Sequence, residues 1–155
     1  MMHRIIINVG AIIGLVALTA GCSGGPVEEY RTVTVSGAVK MIAGPMPAGT
    51  LHFRLYNLWY LDGEMRHSLE EIEDFQSQSG NFSHTFEYPL HKGTGLAVHV
   101  WLDADADGLF CSPASRVDPA GLIALEDTPE KDVSVAITLT DNCRAANFFY
   151  PPAAQ

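Results

Sequence analysis

Three carboxylates stand at alternate positions in Asp103-Ala104-Asp105-Ala106-Asp107-Gly108, directly after an apolar run that ends at Leu102. Hard oxygen ligands at this spacing, followed by a glycine that permits a sharp turn, suit a calcium ion, and the Leu109 carbonyl falls at the next alternate position. Further coordination must come from farther along the chain, with Asp118 first, Asp127 or Asp132 behind it, and water. Two readings stand side by side. In one, a cation removes the mutual repulsion of three carboxylates held within five residues. In the other, each Asp closes a local turn on its own backbone and stays solvated.

These six residues resemble the first half of an EF-hand calcium loop. The twelfth position is Ala114, where that motif places a bidentate Glu, so the loop is not an EF-hand. Incomplete loops of this kind resemble those of extracellular β-sandwich modules. The resemblance implies a structural ion bound with an affinity of about 10⁻⁴ to 10⁻³ M.

No catalytic constellation accompanies the acidic loop. His52, His67, His84, His91 and His99 are scattered without zinc-like spacing, and we read them as polar faces of half-buried strands. The chain has no Gly-X-Ser-X-Gly elbow, phosphate loop or His-Glu-X-X-His helix. With 9 basic and 18 acidic residues its formal net charge is −9, which argues against nucleic acid as a partner.

The elements that must position the loop carry the period of half-buried strands. Val33, Val35, Val39 and Met41 alternate with polar residues. So do Leu51, Phe53 and Leu55, then Phe82, Phe86 and Tyr88, then Val98, Val100 and Leu102, and last Val133, Val135, Ile137 and Leu139. Gly44-Pro45-Met46-Pro47-Ala48-Gly49 and Ser79-Gly80-Asn81 punctuate them as turns. Ser68 and Glu71 have capping-box spacing. However, Leu69, Ile72 and Phe75 make too short a stripe to bury a helix, so residues 66–78 are read as an irregular strand. The expectation is an all-β, single antiparallel sandwich of about seven strands.

In Val35-Ser36-Gly37-Ala38-Val39, in Gly95 to Trp101 before the acidic loop, and in the closing Val133 to Leu139, the order of elements resembles the transthyretin-like, or carboxypeptidase-regulatory-like, sandwiches. Hydroxyisourate hydrolase is an enzyme of that fold and ends in Tyr-Arg-Gly-Ser. This chain ends Asn147-Phe148-Phe149-Tyr150-Pro151-Pro152-Ala153-Ala154-Gln155, so that activity is not expected.

His3 and Arg4 precede an uncharged run from Ile5 to Ala20, the anatomy of a signal peptide. As a helix, 16 residues would span roughly 24 Å, short of the about 30 Å hydrocarbon core. Leu18-Thr19-Ala20-Gly21-Cys22 resembles the lipobox of bacterial lipoproteins. The resemblance implies cleavage before Cys22, a diacylglyceryl group on its thiol and an acylated new amino terminus, two signals that suffice for stable anchoring. Ser23 in place of Asp implies the outer rather than the inner membrane. An ordinary secretory leader, which would leave Cys22 a free thiol, is the alternative.

With Cys22 assigned to lipid, Cys111 and Cys143 remain as an even pair in an oxidising compartment, where a disulfide is the default and two free thiols the alternative. No further cysteine or nearby histidine completes a thiolate metal site. After cleavage, eight basic residues face 18 acidic ones, a net charge of −10, which disfavours direct adhesion to anionic lipid.

The expected organisation is a signal peptide over 1–21, the lipidated cysteine and a flexible tether over 22–30, a sandwich over 31–143 and a tail over 144–155. Phe148, Phe149 and Tyr150 either pack on their own domain or dock a partner, and Trp59 poses the same choice. The function expected is a lipid-anchored, non-catalytic binding or structural module of the bacterial envelope, with calcium as its one cofactor. The second reading is a pilot or assembly lipoprotein with an envelope protein partner, because such pilots include small sandwiches with a similar Val-Ser-Gly-X-Val strand. The third is an enzyme whose site escapes motif search.

Overall fold

A computed structural model describes residues 28–149. Eight strands follow one another: β1 (Tyr30–Met41), β2 (Thr50–Leu61), β3 (Glu64–Ser77), β4 (Asn81–Pro89), β5 (Gly95–Asp103), β6 (Pro119–Leu125), β7 (Asp132–Leu139) and the short β8 (Asp141–Asn142). A single 3₁₀ turn, Ala146–Phe148, closes the described chain. Residues 66–78 are strand almost throughout, as expected.

The strands form two sheets packed face to face, a three-stranded sheet ordered β4-β1-β7 and a five-stranded sheet ordered β3-β2-β5-β6-β8. Pairing is antiparallel except between β1 and β7, which run parallel with Val35 opposite Val133 and Met41 opposite Leu139. The fold is therefore a β-sandwich, but not a wholly antiparallel one. The first strand takes the centre of its sheet and accepts the last long strand as a neighbour.

Gly37 makes that parallel contact possible. Its φ is +154°, and a Cβ there would lie 1.8 Å from the Val135 carbonyl oxygen. Only a residue without a side chain lets the two backbones meet. The β2–β3 hairpin turns at Asp62 and Gly63, both with positive φ (56° and 76°), as a two-residue turn with an Asp-Gly pair requires.

The alternating residues meet between the sheets. Val33 and Val35, Leu51, Phe53 and Leu55, Phe86 and Tyr88, Val98, Val100 and Leu102, and Ile137 and Leu139 form one core. Phe53 stacks on Phe75 of β3 at 4.4 Å. Every residue of β5 is buried, including Ala97, His99 and Trp101 on the face away from that core. Half-buried polar positions were expected there, and the correction has a simple cause. The outer face of the five-stranded sheet is covered by Phe110 of the acidic loop and by Ala146 and Phe149 of the C-terminal segment.

Candidate functional site

Strand β5 delivers Asp103 to the rim of the sandwich, and the chain then bends through residues 104–118 before β6 begins. Ala106 and Gly108 take positive φ values of 59° and 74°, and these fold the loop back over Asp103. The Gly108 N–H donates to Asp103 Oδ2 at 3.1 Å. The Asp107 N–H donates to Asp105 Oδ1 at 3.3 Å, and the Leu109 N–H donates to Asp107 Oδ1 at 2.8 Å. These are the self-closing aspartate turns that one of the two sequence readings expects.

Asp118 closes the loop from its far end. Its side chain is wholly buried. Oδ1 accepts the Ala104 N–H at 3.0 Å, and Oδ2 accepts the Cys111 N–H at 2.9 Å. Its backbone carbonyl accepts the Cys143 N–H at 2.9 Å. Cys111 and Cys143 form a disulfide with Cα atoms 5.5 Å apart, the pairing expected from the sequence. Both half-cystines have positive φ, 50° and 60°.

Asp103, Asp105 and Asp118 each bring a carboxylate oxygen within 4.8 Å of the others. That spacing fits donors around one ion, because calcium–oxygen distances of about 2.3 to 2.6 Å allow donors up to about twice that far apart. Two of the three are buried rather than solvated: Asp103 is 6% exposed and Asp118 0%. Asp103 Oδ1 is buried with no hydrogen-bond partner. A buried anionic oxygen without a donor is costly unless a cation or donor meets it. Asp105 lies at the surface, and a hydrogen bond from Ser115 holds its carboxyl below the usual range, with the Asp107 N–H adding to the effect.

Asp107 is outside this group, although its spacing suggested a ligand. The left-handed residues on either side of it turn its carboxylate to the Leu109 N–H instead. Leu109 itself is 59% exposed. Asp127 and Asp132 are not part of the cluster either.

The disulfide also joins the two segments that cover the outer face of β5. Phe110, beside Cys111, packs against Trp101 at 5.2 Å and against His99 at 5.9 Å. Phe149, beyond Cys143, packs against His99 at 5.7 Å, and the Arg144 guanidinium lies 4.9 Å over its ring. His99, buried under this cover, donates Nε2–H to the Arg144 carbonyl at 3.0 Å, which leaves Nδ1 as the unprotonated nitrogen. Its pKa is pushed down to about 4, chiefly because burial penalises the charged ring. Trp101 also stacks on His52 at 3.9 Å.

The aromatic docking candidates separate. Phe149 is buried in its own domain and offers no docking face, whereas Phe148 and Trp59 are 64% and 52% exposed. Tyr150 and Cys22 lie outside the described residues. Among the described residues no helix is long and apolar enough to cross a membrane. Sequence reasoning also missed Asn57, a buried amide in the otherwise apolar Leu55-Tyr56-Asn57-Leu58-Trp59 of β2. A polar residue inside an apolar strand was the available signal. The chain matches no family model and no curated protein.

Proposed function

We propose that this protein is a lipid-anchored, non-catalytic module of the cell envelope whose sandwich is stabilised by calcium at Asp103, Asp105 and Asp118. One observation carries the metal reading: three carboxylates converge within 4.8 Å, and one of them holds a buried oxygen without a donor. Oxygen donors alone make the set hard, which suits calcium rather than zinc or copper. The disulfide beside it suits an oxidising compartment, in keeping with the lipobox resemblance at Cys22.

The opening of β1 and the acidic loop lie toward opposite ends of the sandwich. Tyr30 opens β1 opposite Pro89, close to the start of β5, while Asp103 ends β5 eight residues after Gly95, roughly 26 Å away. A tether at Cys22 would leave the calcium end facing away from the membrane.

The test is calcium titration of the purified chain by calorimetry, beside a variant carrying Asp103→Ala and Asp105→Ala. At ten times a millimolar Kd, calcium should stabilise the protein by about 1.4 kcal/mol and raise Tm by a few degrees. Neither effect should survive in the variant. An unchanged Tm and no heat in the parent chain would sink the metal reading. Separately, Cys22→Ser should release the protein from the membrane fraction and abolish palmitate labelling; retention of both would sink the anchor.

A further inference from the structure

A cavity of about 290 Å³ opens where β3, the edge of the larger sheet, faces β4, the edge of the smaller. No backbone ladder joins the two edges; side chains bridge them, with His84 Nε2 of β4 lying 2.7 Å from Glu73 Oε1 of β3. Glu70 and Glu73 of β3 and Glu87 of β4 line the cavity together with the hydrocarbon of Ile72. Asn57 of β2 lines it from inside the sheet. That side chain is 3% exposed, and its Oδ1 is buried with no hydrogen-bond partner.

Asn57 follows Phe53 and Leu55 on the inner face of β2, while Tyr56 and Leu58 point to the other face. The register of β2 with β3 slips between Leu55 and Tyr56 and again between Asn57 and Trp59. The surplus residues belong to β3, with Ile72 left between the partners of Leu55 and Tyr56, so it is the edge strand that bulges beside the cavity. Gly93 packs against the same spot, where an added Cβ would meet Asn57 Cβ at 3.3 Å.

Glu73 already meets His84 Nε2 and Glu87 accepts the Thr32 hydroxyl, each at 2.7 Å, whereas the Asn57 amide oxygen has no donor, and beside an acidic wall a cationic N–H group is the donor it suits. A metal ion is the poorer match. Among the described residues, only the three aspartates at the other end bring carboxylate oxygens together around one point. Glutamates distributed around a larger space suit an elongated cation, with methylenes for Ile72 and several N–H donors for separate acceptors. The chain supplies its own example at the rim. The Lys92 ammonium sits 3.2 Å from Glu28 and 3.8 Å from Glu70.

We propose that this cavity binds a primary alkylammonium group, carried either by a free polyamine or by a lysine side chain of a partner polypeptide. The incoming ammonium takes Glu70 and Glu87 and reaches toward Asn57, while Lys92 remains on Glu28. The site is independent of the calcium reading. Asn57 pairs with Leu96 at one end of β5, and Asp103 lies at the other.

The test is calorimetric titration of the full chain at low salt, with calcium saturating so that the aspartate cluster does not take up the probe. Spermidine and a blocked lysine amide are the probes. Glu70→Gln with Glu87→Gln should weaken binding roughly tenfold or more, and Lys92→Met, which removes the internal competitor, should tighten it roughly threefold to fivefold. Both variants alter partly exposed side chains and leave the core intact. Binding of spermidine alone assigns the site to free polyamines; equal or tighter binding of the lysine amide assigns it to a partner's lysine. No heat with either probe, or binding that neither variant changes, overturns the proposal.

Discussion

Asp118 accepts the Cys111 N–H on its buried carboxylate at 2.9 Å, and this single bond ties the acidic cluster to the disulfide. The same carboxylate holds the Ala104 N–H, so Asp118 closes the loop at both ends. Removing it should leave two backbone donors without partners. Asp118→Ala is expected to destabilise the protein by about 3 kcal/mol even without calcium. Asp105→Ala, at the surface, should change stability by less than about 0.5 kcal/mol without calcium while abolishing the calcium-dependent rise in Tm. Urea denaturation with and without calcium separates the two.

The disulfide spans 32 residues and joins the segments bearing Phe110 and Phe149. Replacing both cysteines by serine should cost about 3 to 4 kcal/mol in the chain-entropy description. Reductant should lower the Tm of the parent chain to that of the variant. A parent chain indifferent to reductant would show that the cross-link adds nothing to stability.

His99 sets an acid limit. Its ring is neutral in the folded protein down to about pH 4, whereas in the unfolded chain it takes a proton near 6.5. Unfolded molecules therefore bind more protons in this window, and stability falls as pH drops from about 6.5 to about 4, then levels off. The full effect is about 3 kcal/mol at roughly 1.4 kcal/mol per unit. The groups around the ring support this sign: Arg54 disfavours its charge, and Phe110 and Phe149 exclude water. The Arg144 carbonyl opposes it without overcoming burial. His99→Gln should flatten the profile between pH 6.5 and 4, as followed by urea midpoints.

Gly37→Ala is expected to be among the most damaging single-methyl additions. A Cβ at 1.8 Å from the Val135 oxygen cannot be accommodated without parting β1 from β7. A loss of about 3 kcal/mol or more should appear in thermal melts, or the chain should fail to fold.

The two aromatic positions at the surface and under the cover should differ sharply. Phe149→Ala uncovers Trp101 and His99 and should cost about 3 kcal/mol. Trp59→Ala, more than half exposed, should cost less than about 1 kcal/mol. Melting curves of the two variants provide the comparison.

The inter-sheet core was legible because Leu51, Phe53 and Leu55, or Val98, Val100 and Leu102, repeat with the period of a pleated strand. The disulfide followed from an even pair of cysteines. The burial of His99 and Trp101 did not, because a period of two reports which residues share a face and says nothing about what a distant segment lays over it. Asp118 was legible as a member of the carboxylate group, but not as the residue that organises the loop backbone. Asp107 stands outside the group of three because equal spacing in sequence does not survive two left-handed residues around it. Asn57 follows the same period as Phe53 and Leu55, but that period does not reveal that its amide oxygen is left without a donor.

The parallel pairing of β1 with β7 has a kinetic consequence. The smaller sheet is built around the earliest strand, yet one of its two neighbours ends at Leu139. Until β7 has been synthesised, β1 lacks one of its two neighbouring strands and the core lacks Ile137 and Leu139. Closing so long a loop makes folding a late and slow event, on the scale of milliseconds to seconds. Before the last long strand arrives, the smaller sheet is a lone β1–β4 pair, and the sandwich reaches its final shape only once β7 has docked beside β1.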